Sequence, residues 1–212
     1  MGICMCEINL HNCDCMEFMK DVPDDYYELA IVDVPYGIGD EKLTSGGTWA
    51  SKYKKGSCSW DVKPKKEYFD ELFRVSKNWI VWGGNYFSEN ITGSRCFIVW
   101  RKLQMLGMHT MSDCELALTS FDKNAKIYDG NNSTDRIHPT QKPVALYKWL
   151  LQNYAKEGDK ILDTHGGSMS IAIACHDMNF NLDLCELDKD YFLAGKKRLE
   201  KHQTQSTLLD FC

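Results

Sequence analysis

Leu29-Ala30-Ile31-Val32-Asp33-Val34-Pro35-Tyr36 is the stretch that decides the fold of this chain. Its four apolar residues predict a buried strand, which ends abruptly at a carboxylate, a proline and an aromatic ring. Lys160-Ile161-Leu162, followed by Asp163-Thr164-His165-Gly166-Gly167-Ser168-Met169, has the same form with a glycine-rich end. Ligands of open α/β sheets bind just outside the carboxyl ends of the strands. Two such strand ends predict a site that holds two ligands together.

The composition fits one globular domain that spans residues 1–212. Hydrophobic residues make up 43% of the chain, and no apolar run reaches the roughly 18 residues of a membrane helix. The first residues lack the basic and apolar segments of a secretory signal, so we expect a cytoplasmic protein without membrane contact. The net charge of -5 does not indicate a nucleic-acid partner, although lysines cluster at positions 52, 54, 55, 63, 65 and 66.

Ten cysteines raise the question of a metal site, because Cys4-x-Cys6 and Cys13-x-Cys15 flank His11. Zinc sites usually separate their paired cysteines by about two to four residues, and Cys13 and Cys15 lie where a strand gives way to a helix. We therefore expect no metal, and we interpret the other cysteines as reduced core thiols.

Strands and helices alternate along much of the chain. Strands are predicted at 29–33, 79–82, 96–100, 114–119, 125–128, 160–163 and 181–186, and helices at 65–77, 143–156, 168–178 and 189–201. This alternation predicts the α/β class, with a mostly parallel sheet flanked by helices. Residues 37–64 lack periodicity and are predicted to form a mobile loop, and residues 203–212 are predicted to form a C-terminal tail.

The glycine-rich strand end has the features of a nucleotide-binding turn. Gly166 and Gly167 let the backbone approach a ligand, and a helix that begins at Ser168 offers free N–H groups. The next strand ends at Glu186, about twenty residues later, where a carboxylate can accept both hydroxyls of a ribose. The pattern is not G-x-G-x-x-G, which disfavours a dinucleotide. A tight turn beside an exposed acid is the alternative.

The Asp33 strand end suits an exocyclic amine on a planar ring. The amine would donate to the Asp33 carboxylate and to the carbonyl of Val34, while Tyr36 stacks on the ring. Acceptors placed in this way hold the amine by its hydrogens and expose the nitrogen lone pair. A plain turn after a strand is the alternative for this short motif.

These residues resemble the DNA amino-methyltransferases that use S-adenosylmethionine and carry the motif [D/N/S]-P-P-[Y/F/W], here Asp33–Tyr36. The order is similar to that of the permuted group, with the catalytic motif first and the cofactor loop last. His138–Pro143 (HPTQKP) is similar to the H-P-T-[EQ]-K-P segment of that group. Trp82–Phe87 (WGGNYF) is similar to a segment of its phage and prophage members. The resemblance spans residues 8–200, which implies the cytoplasm of a bacterial or phage-infected cell.

The resemblance implies a Rossmann-like methyltransferase fold and transfer of methyl to the N6 amine of adenine in double-stranded DNA. An aspartate-led motif favours adenine, since the serine-led form is more typical of cytosine. A catalytic role is implied for Asp33, Val34, Pro35 and Tyr36, with the target base flipped from the duplex. S-adenosylmethionine is implied as cofactor, on Asp163, His165, Gly167, Ser168 and Glu186, with Thr140 and Lys142 near its amino-acid end.

Three residues depart from the family pattern and keep other interpretations open. Val34 replaces the first proline of the motif. This replacement keeps the backbone carbonyl but loses the rigid turn. Met169 stands where a glycine is common, so its side chain is expected to crowd the helix start, and His165 stands at a phenylalanine position. A non-catalytic cofactor or DNA binder is therefore one alternative. The others are an RNA methyltransferase, a free-nucleotide methyltransferase and a cytosine-N4 methyltransferase.

Residues 101–136 are the predicted target-recognition region, and a structural β-hairpin is the alternative for that region. Predicted DNA contacts are Lys54, Lys55, Arg101, Lys102 and Arg136, with the loop lysines meeting phosphates. Because the region is short, a homodimer that shares target recognition is a possible assembly. Gln205–Phe211 resembles the peptides that dock bacterial sliding clamps, and a tail that folds back onto the core is the alternative.

Overall fold

The computed structural model describes residues 6–37, 61–92, 95–103, 112–132, 136–138 and 140–209, with side chains described up to residue 205. Most of the predicted loop, from 38 to 60, lies outside the described residues, as do the side chains of the clamp-like segment from 206 onward. None of the helices in the described part of the chain is long and apolar enough to span a membrane.

The described residues form one sheet of eight strands. These are β1 (Ile8–His11), β2 (Leu29–Val32), β3 (Trp79–Trp82), β4 (Phe97–Arg101), β5 (Cys114–Thr119), β6 (Lys126–Asp129), β7 (Lys160–Asp163) and β8 (Asn181–Cys185). Their order across the sheet is β1-β8-β7-β2-β3-β5-β4-β6. β5 runs antiparallel to both β3 and β4, whereas the other neighbouring pairs are parallel. The predicted mostly parallel sheet is confirmed.

Helices cover both faces of the sheet. They are α1 (Cys15–Lys20), α2 (Lys66–Val75), α3 (Val144–Tyr154), α4 (Ser170–Met178) and α5 (Lys189–Leu209). Successive residues of a strand point to opposite faces, so Leu29 and Ile31 join the core under α3 and α4, while Ala30 and Val32 join the core under α1 and α2. Burial on both faces explains why β2 is apolar at every position.

The two polar strand ends are neighbours. β2 pairs in parallel with β7, with Leu29 opposite Ile161 and Ala30 opposite Leu162. Because the strands share one direction, Asp33 and Asp163 emerge at the same edge of the sheet. This shared edge is what a site built from both strand ends requires, and the site itself stays a prediction.

Two elements differ from their predictions. The turn predicted between β5 and β6 does not join a paired hairpin, because β4 lies between these strands and pairs with both, antiparallel with β5 and parallel with β6. Helix α5 continues to Leu209, so the predicted tail from residue 203 begins as helix. Periodicity within a segment does not encode which strand it pairs with, and the polar end of α5 carries little apolar signal.

Candidate active site at the ends of β2 and β7

Asp33 follows the last residue of β2, and two donors hold one of its carboxylate oxygens. The Tyr36 hydroxyl donates to Oδ1 over 2.8 Å. The Lys142 ammonium lies 2.5 Å from the same oxygen. Within the described ranges, no hydrogen bond is donated to Oδ2. The protein therefore fixes one oxygen of Asp33 and leaves the other as an acceptor.

Lys142 belongs to a row of alternating charges that begins at Asp33. Its side chain is 2% exposed, and its ammonium lies 3.0 Å from Oε2 of Glu115 on β5. This contact is an ion pair without hydrogen-bond alignment, since Oε2 has no hydrogen-bond partner among the described residues. The other oxygen of Glu115 pairs with Lys102, just after β4. The Lys142 ammonium also lies over the Trp82 ring, 5.3 Å from its centroid.

The row sets the protonation of its members. Burial opposes the charge of Glu115, but the ammonium groups of Lys142 and Lys102 lower the pKa of its carboxyl to about 2. Asp33 shares only one ammonium, so burial, with the nearby charge of Glu115, raises the pKa of its carboxyl above the ordinary value. Burial acts against the charge of Lys142, but the two carboxylates raise its pKa. Lys142 is therefore an ammonium at neutral pH.

Tyr36 packs against the segment that follows β3. Gly83 has a φ of +70°, and a Cβ at this position would lie 2.1 Å from Cε1 of the Tyr36 ring. The close approach and the left-handed backbone both require glycine. The Tyr36 ring also stacks on Tyr86, with centroids 4.8 Å apart and planes 13° apart. An aromatic surface thus stands beside the Asp33 carboxylate, as the sequence predicts.

Asp163 ends β7 and is almost completely buried. Its Oδ1 accepts the backbone N–H of His165 over 3.0 Å. No lysine, arginine or histidine of the described ranges forms an ion pair with this carboxyl. Burial is the main cause that raises the pKa of Asp163 to about 8, and the charges of Asp33 and Glu186 add to this rise. The carboxyl therefore keeps its proton at pH 7 unless a positive charge approaches.

His165 forms a neutral, hydrogen-bonded ring at the family's phenylalanine position. Its Nδ1 lies 2.8 Å from the hydroxyl of Thr164, which in turn lies 2.6 Å from the hydroxyl of Tyr68 on α2. Burial lowers the pKa of His165 to about 4. The ring is therefore uncharged at neutral pH, so the replacement of phenylalanine adds polarity without charge.

Glu186 closes the glycine-rich turn. Its Oε2 accepts the Gly167 N–H over 2.7 Å, and its Oε1 accepts the Asp188 N–H over 2.8 Å. Each carboxylate oxygen has capacity for a second hydrogen bond, so this geometry is compatible with the predicted ribose contact. Arg198 of α5 fastens the other side of the turn, because it donates to the Ser168 carbonyl over 2.7 Å.

Met169, which the sequence predicts to crowd the helix start, packs its side chain against α5. Its φ is +55°, in the left-handed region where glycine is common. The side chain is fully buried and points at α5, where a Cβ on Gly195 would come within 2.7 Å of Met169 Cγ. A glycine on α5 therefore makes room for the methionine. At the other strand end, Val34 is equally buried, in the core under α1 and α2.

The HPTQKP segment spans from the glycine-rich turn to Asp33. The Thr140 hydroxyl lies 3.0 Å from His138 Nδ1, and a Cβ on Gly167 would lie 3.7 Å from the His138 ring. Burial lowers the pKa of His138 to about 4, so this ring is neutral as well. Thr140 therefore lies near the turn, whereas the Lys142 ammonium lies against Asp33.

The residues at the two strand ends fit S-adenosylmethionine by their chemistry. That cofactor carries a sulfonium, an ammonium, a carboxylate and a ribose diol. Asp163 offers a buried carboxyl that has no cationic partner of its own among the described residues, and Glu186 offers acceptor oxygens. The Gly167 position leaves open the space that a side chain would take beside His138.

The predicted DNA contacts are only partly described. Lys54 and Lys55 lie outside the described residues, and so do residues 104–111 and 133–135 of the recognition region. Arg101 is exposed and forms two hydrogen bonds to Asp129, at 2.7 and 2.6 Å. Lys102 is mostly buried against Glu115, and Arg136 is half-buried. The DNA contacts of these five residues stay predictions, and the buried ion pair makes Lys102 the least accessible of those described.

Sequence reasoning missed Glu115 and Gly195. A single acid within the apolar strand Cys114–Thr119 was an available signal for Glu115, because a buried charge requires a partner. Gly195 had no such signal, since a lone glycine within a long helix gains meaning only from Met169 on the neighbouring element.

Comparison with known proteins places this fold and site in a family. Residues 48–197 match the family model of N6/N4 DNA methylases. The chain is 35% identical to Type II methyltransferase M.HpaI of Haemophilus parainfluenzae, over 86% of this chain and 71% of that protein. It is 22% identical to Type II methyltransferase M2.DpnII of Streptococcus pneumoniae, over 88% of this chain and 87% of that protein.

Solved structures share the fold at low sequence identity. M1.HpyAVI in complex with SAM superposes with a TM-score of 0.61 and 20% identity, over 91% of this chain and 98% of that one. The PvuII DNA methyltransferase, described as cytosine-N4-specific, gives a TM-score of 0.64 with 11% identity, over 94% and 91% of the two chains. The Rossmann-like methyltransferase fold is thus confirmed.

The chain belongs to the N6/N4 DNA methylase family. It is a DNA methyltransferase, and S-adenosylmethionine is its methyl donor. The predicted family, fold and cofactor are confirmed. The family covers both amine classes, adenine N6 and cytosine N4, so the target base does not follow from membership alone.

Proposed function

We propose that this protein methylates the N6 amine of adenine in double-stranded DNA. The observation that carries the proposal is the Asp33 strand end. One carboxylate oxygen is held by Tyr36 and Lys142, the other is left as an acceptor, and an aromatic stack lies alongside. This arrangement suits a flipped base whose exocyclic amine donates two hydrogen bonds.

Asp33 and Val34 hold the amine in this proposal. One amine hydrogen is donated to Oδ2 of Asp33 and the other to the carbonyl of Val34, which turns the nitrogen lone pair out of the hydrogen-bonding plane. Bound S-adenosylmethionine supplies an electrophilic methyl group on a sulfonium. The nitrogen forms its bond to the methyl carbon as the carbon–sulfur bond breaks, and positive charge develops on the amine. The Asp33 carboxylate stabilises that charge and lies within reach of the proton that must leave.

The residues of the glycine-rich turn hold the cofactor in this proposal. Asp163 would meet a cationic group of the cofactor, and Glu186 would accept the ribose hydroxyls. His165, Gly167, Ser168 and Thr140 would form the remaining wall around the glycine-rich turn. An aspartate rather than a serine at position 33 supports adenine over cytosine, by resemblance to the family pattern. No observation in the described part of the chain favours a homodimer or a sliding-clamp contact, and both remain predictions from the sequence.

Labelled methyl transfer to unmethylated duplex DNA, followed by digestion to nucleosides, tests the proposal. We expect label in N6-methyladenine, and a loss on the order of 10²–10³-fold or more for Asp33→Ala, as for removal of one preorganised polar group. Asp70→Ala is the matched control, because Asp70 is an exposed aspartate that pairs with Lys66 on α2. Label in N4-methylcytosine would move the target to cytosine. Preferential labelling of RNA would overturn DNA as the substrate.

A further inference from the structure

We propose that Lys142, held between Asp33 and Glu115, is a positioning residue that fixes Oδ1 of Asp33 and so presents Oδ2 to the target amine. Glu115 is the second member of this device, because it holds the Lys142 ammonium from the opposite side. The inference rests on the proposed transfer to an exocyclic amine. It assigns residues of β5 and of the HPTQKP segment to the orientation of the catalytic carboxylate.

The geometry at Asp33 supports this role. Both protein donors, the Tyr36 hydroxyl and the Lys142 ammonium, lie on Oδ1, at 2.8 and 2.5 Å. A carboxylate held by one oxygen cannot rotate freely about its Cβ–Cγ bond, so the direction of Oδ2 is set before the base arrives. Preorganised acceptors need no reorganisation during the reaction. This avoided reorganisation is the main source of their catalytic effect.

The environment of Lys142 explains why its ammonium stays in place. With a side chain that is 2% exposed, it has little access to water as a competing partner. Asp33, Lys142, Glu115 and Lys102 alternate in sign, so the four formal charges sum to zero. A buried charge that loses its partner is strongly unfavourable, so each charged side chain keeps its neighbour in place.

The groups that face Asp33 come from several elements. They are Lys142 and Glu115, the Tyr36 hydroxyl, and the nearby Tyr147 and Asp163. Lys142 favours the ionised form of Asp33, whereas Glu115 disfavours it. Removal of these two charges must therefore move the ionisation of Asp33 in opposite directions. A purely structural role would predict damage from both changes without this opposition.

Single-turnover methyl transfer, measured against pH at saturating DNA and cofactor, reads out this opposition. For Lys142→Met we expect the acid limb of the profile to move to higher pH. On that acid limb, the rate at a fixed pH should fall by about tenfold for each unit by which the pKa of Asp33 rises, because the ionised fraction falls in proportion. For Glu115→Gln we expect the acid limb to move to lower pH. Lys148→Met removes a more exposed lysine that pairs with Asp177 on α4, and its profile should match the wild type.

A direct role of Lys142 at the cofactor makes a different prediction. Lys142→Met would then weaken cofactor binding by more than about tenfold in calorimetry, with the pH profile unchanged, as expected for loss of a charge-assisted contact. That result would overturn the inference, and so would movement of the acid limb in the same direction for both variants. If Lys142→Met does not fold, Glu115→Gln still decides, because an acid limb that moves upward or stays in place contradicts the positioning role.

A readout without DNA separates this inference from the proposed function. Carbon-13 labelled aspartate carboxyls can be titrated by NMR, and the Asp33 signal is the one that Asp33→Asn removes. The midpoint of its titration should rise in Lys142→Met and fall in Glu115→Gln, whichever base is methylated. Label on cytosine would refute adenine while these changes persist. Unmoved midpoints would refute the positioning role while adenine methylation persists.

Discussion

Asp33 and Asp163 lie at the ends of neighbouring parallel strands, but their ion pairing differs. Asp33 has a cation supplied by the protein, the Lys142 ammonium at 2.5 Å. Asp163 is buried with one backbone N–H on Oδ1, no ion-pair partner among the described residues, and a pKa raised to about 8. In the proposed function, the end of β2 accepts a neutral amine, and a cationic group of the bound cofactor becomes the ion-pair partner that Asp163 does not have among the described residues.

The same two strand ends also differ in how they accommodate departures from the family pattern. Val34 replaces a proline and is buried in an ordinary core position, so the change needs no compensation elsewhere. Met169 replaces a glycine, adopts a φ of +55°, and depends on Gly195 of α5 for space. The Val34 replacement is therefore local, whereas the Met169 replacement requires a matching glycine on a neighbouring helix.

Among the changes that test this comparison, Asp163→Asn should have the largest effect, which is on cofactor affinity. We expect cofactor affinity to fall by about 10–100-fold, since a charge-assisted contact is worth roughly 1.5–3 kcal/mol. Calorimetric titration with S-adenosylmethionine measures this. Asp70→Asn serves as the control at an exposed aspartate. Unchanged affinity in Asp163→Asn would show that the buried carboxyl does not meet the cofactor.

The stability of the ligand-free protein should depend on pH through the same residue. Asp163 keeps its proton in the folded protein up to about pH 8, whereas an unfolded aspartate loses it near pH ~4. The Asp163 contribution therefore lowers the free energy of unfolding as pH rises through this interval. Urea unfolding measures the free energies of unfolding of wild type and Asp163→Asn. As pH rises, the value for the variant should increase relative to that of the wild type. A constant difference would contradict the raised pKa.

The Met169 and Gly195 pair should show strong coupling. Gly195→Ala alone should destabilise the protein by about 1–3 kcal/mol, because the new methyl meets Met169 Cγ at 2.7 Å and the Gly167 carbonyl at 3.1 Å. Met169→Gly alone relieves backbone strain but empties a buried site, with a net loss of about 1–3 kcal/mol. The double variant should recover much of the loss from Gly195→Ala. Additive losses in urea unfolding would show that the two residues act independently.

Val34→Pro should have the smallest effect. The carbonyl that accepts the amine is retained, and Pro35 already restricts residue 34 to extended backbone. We expect a change in unfolding free energy below about 1 kcal/mol and a turnover within about threefold of wild type. A large gain in single-turnover rate would show that the missing proline limits preorganisation of the amine site.

Sequence patterns predicted the strands of the site well but not its internal contacts. Apolar runs located β2 and β3 to within one residue, because burial on both faces produces uninterrupted apolar segments. The position of β4 between β5 and β6 depends on pairing across the sheet, which no local period records. For the same reason the ion pairs of Lys142 with Asp33 and Glu115 could not be predicted, although each residue was visible in the sequence.

The difference between the two strand ends is tested most directly by proton release on cofactor binding. S-adenosylmethionine is titrated into the protein at pH 7 in two buffers of different ionisation enthalpy, with Asp163→Asn in parallel. If the cofactor supplies the missing charge, wild type should release close to one proton, about 0.9, as Asp163 ionises, and the variant should release almost none. Equal proton release by the two proteins, or none by either, would contradict the assignment of Asp163 as the carboxyl that takes its cation from the cofactor.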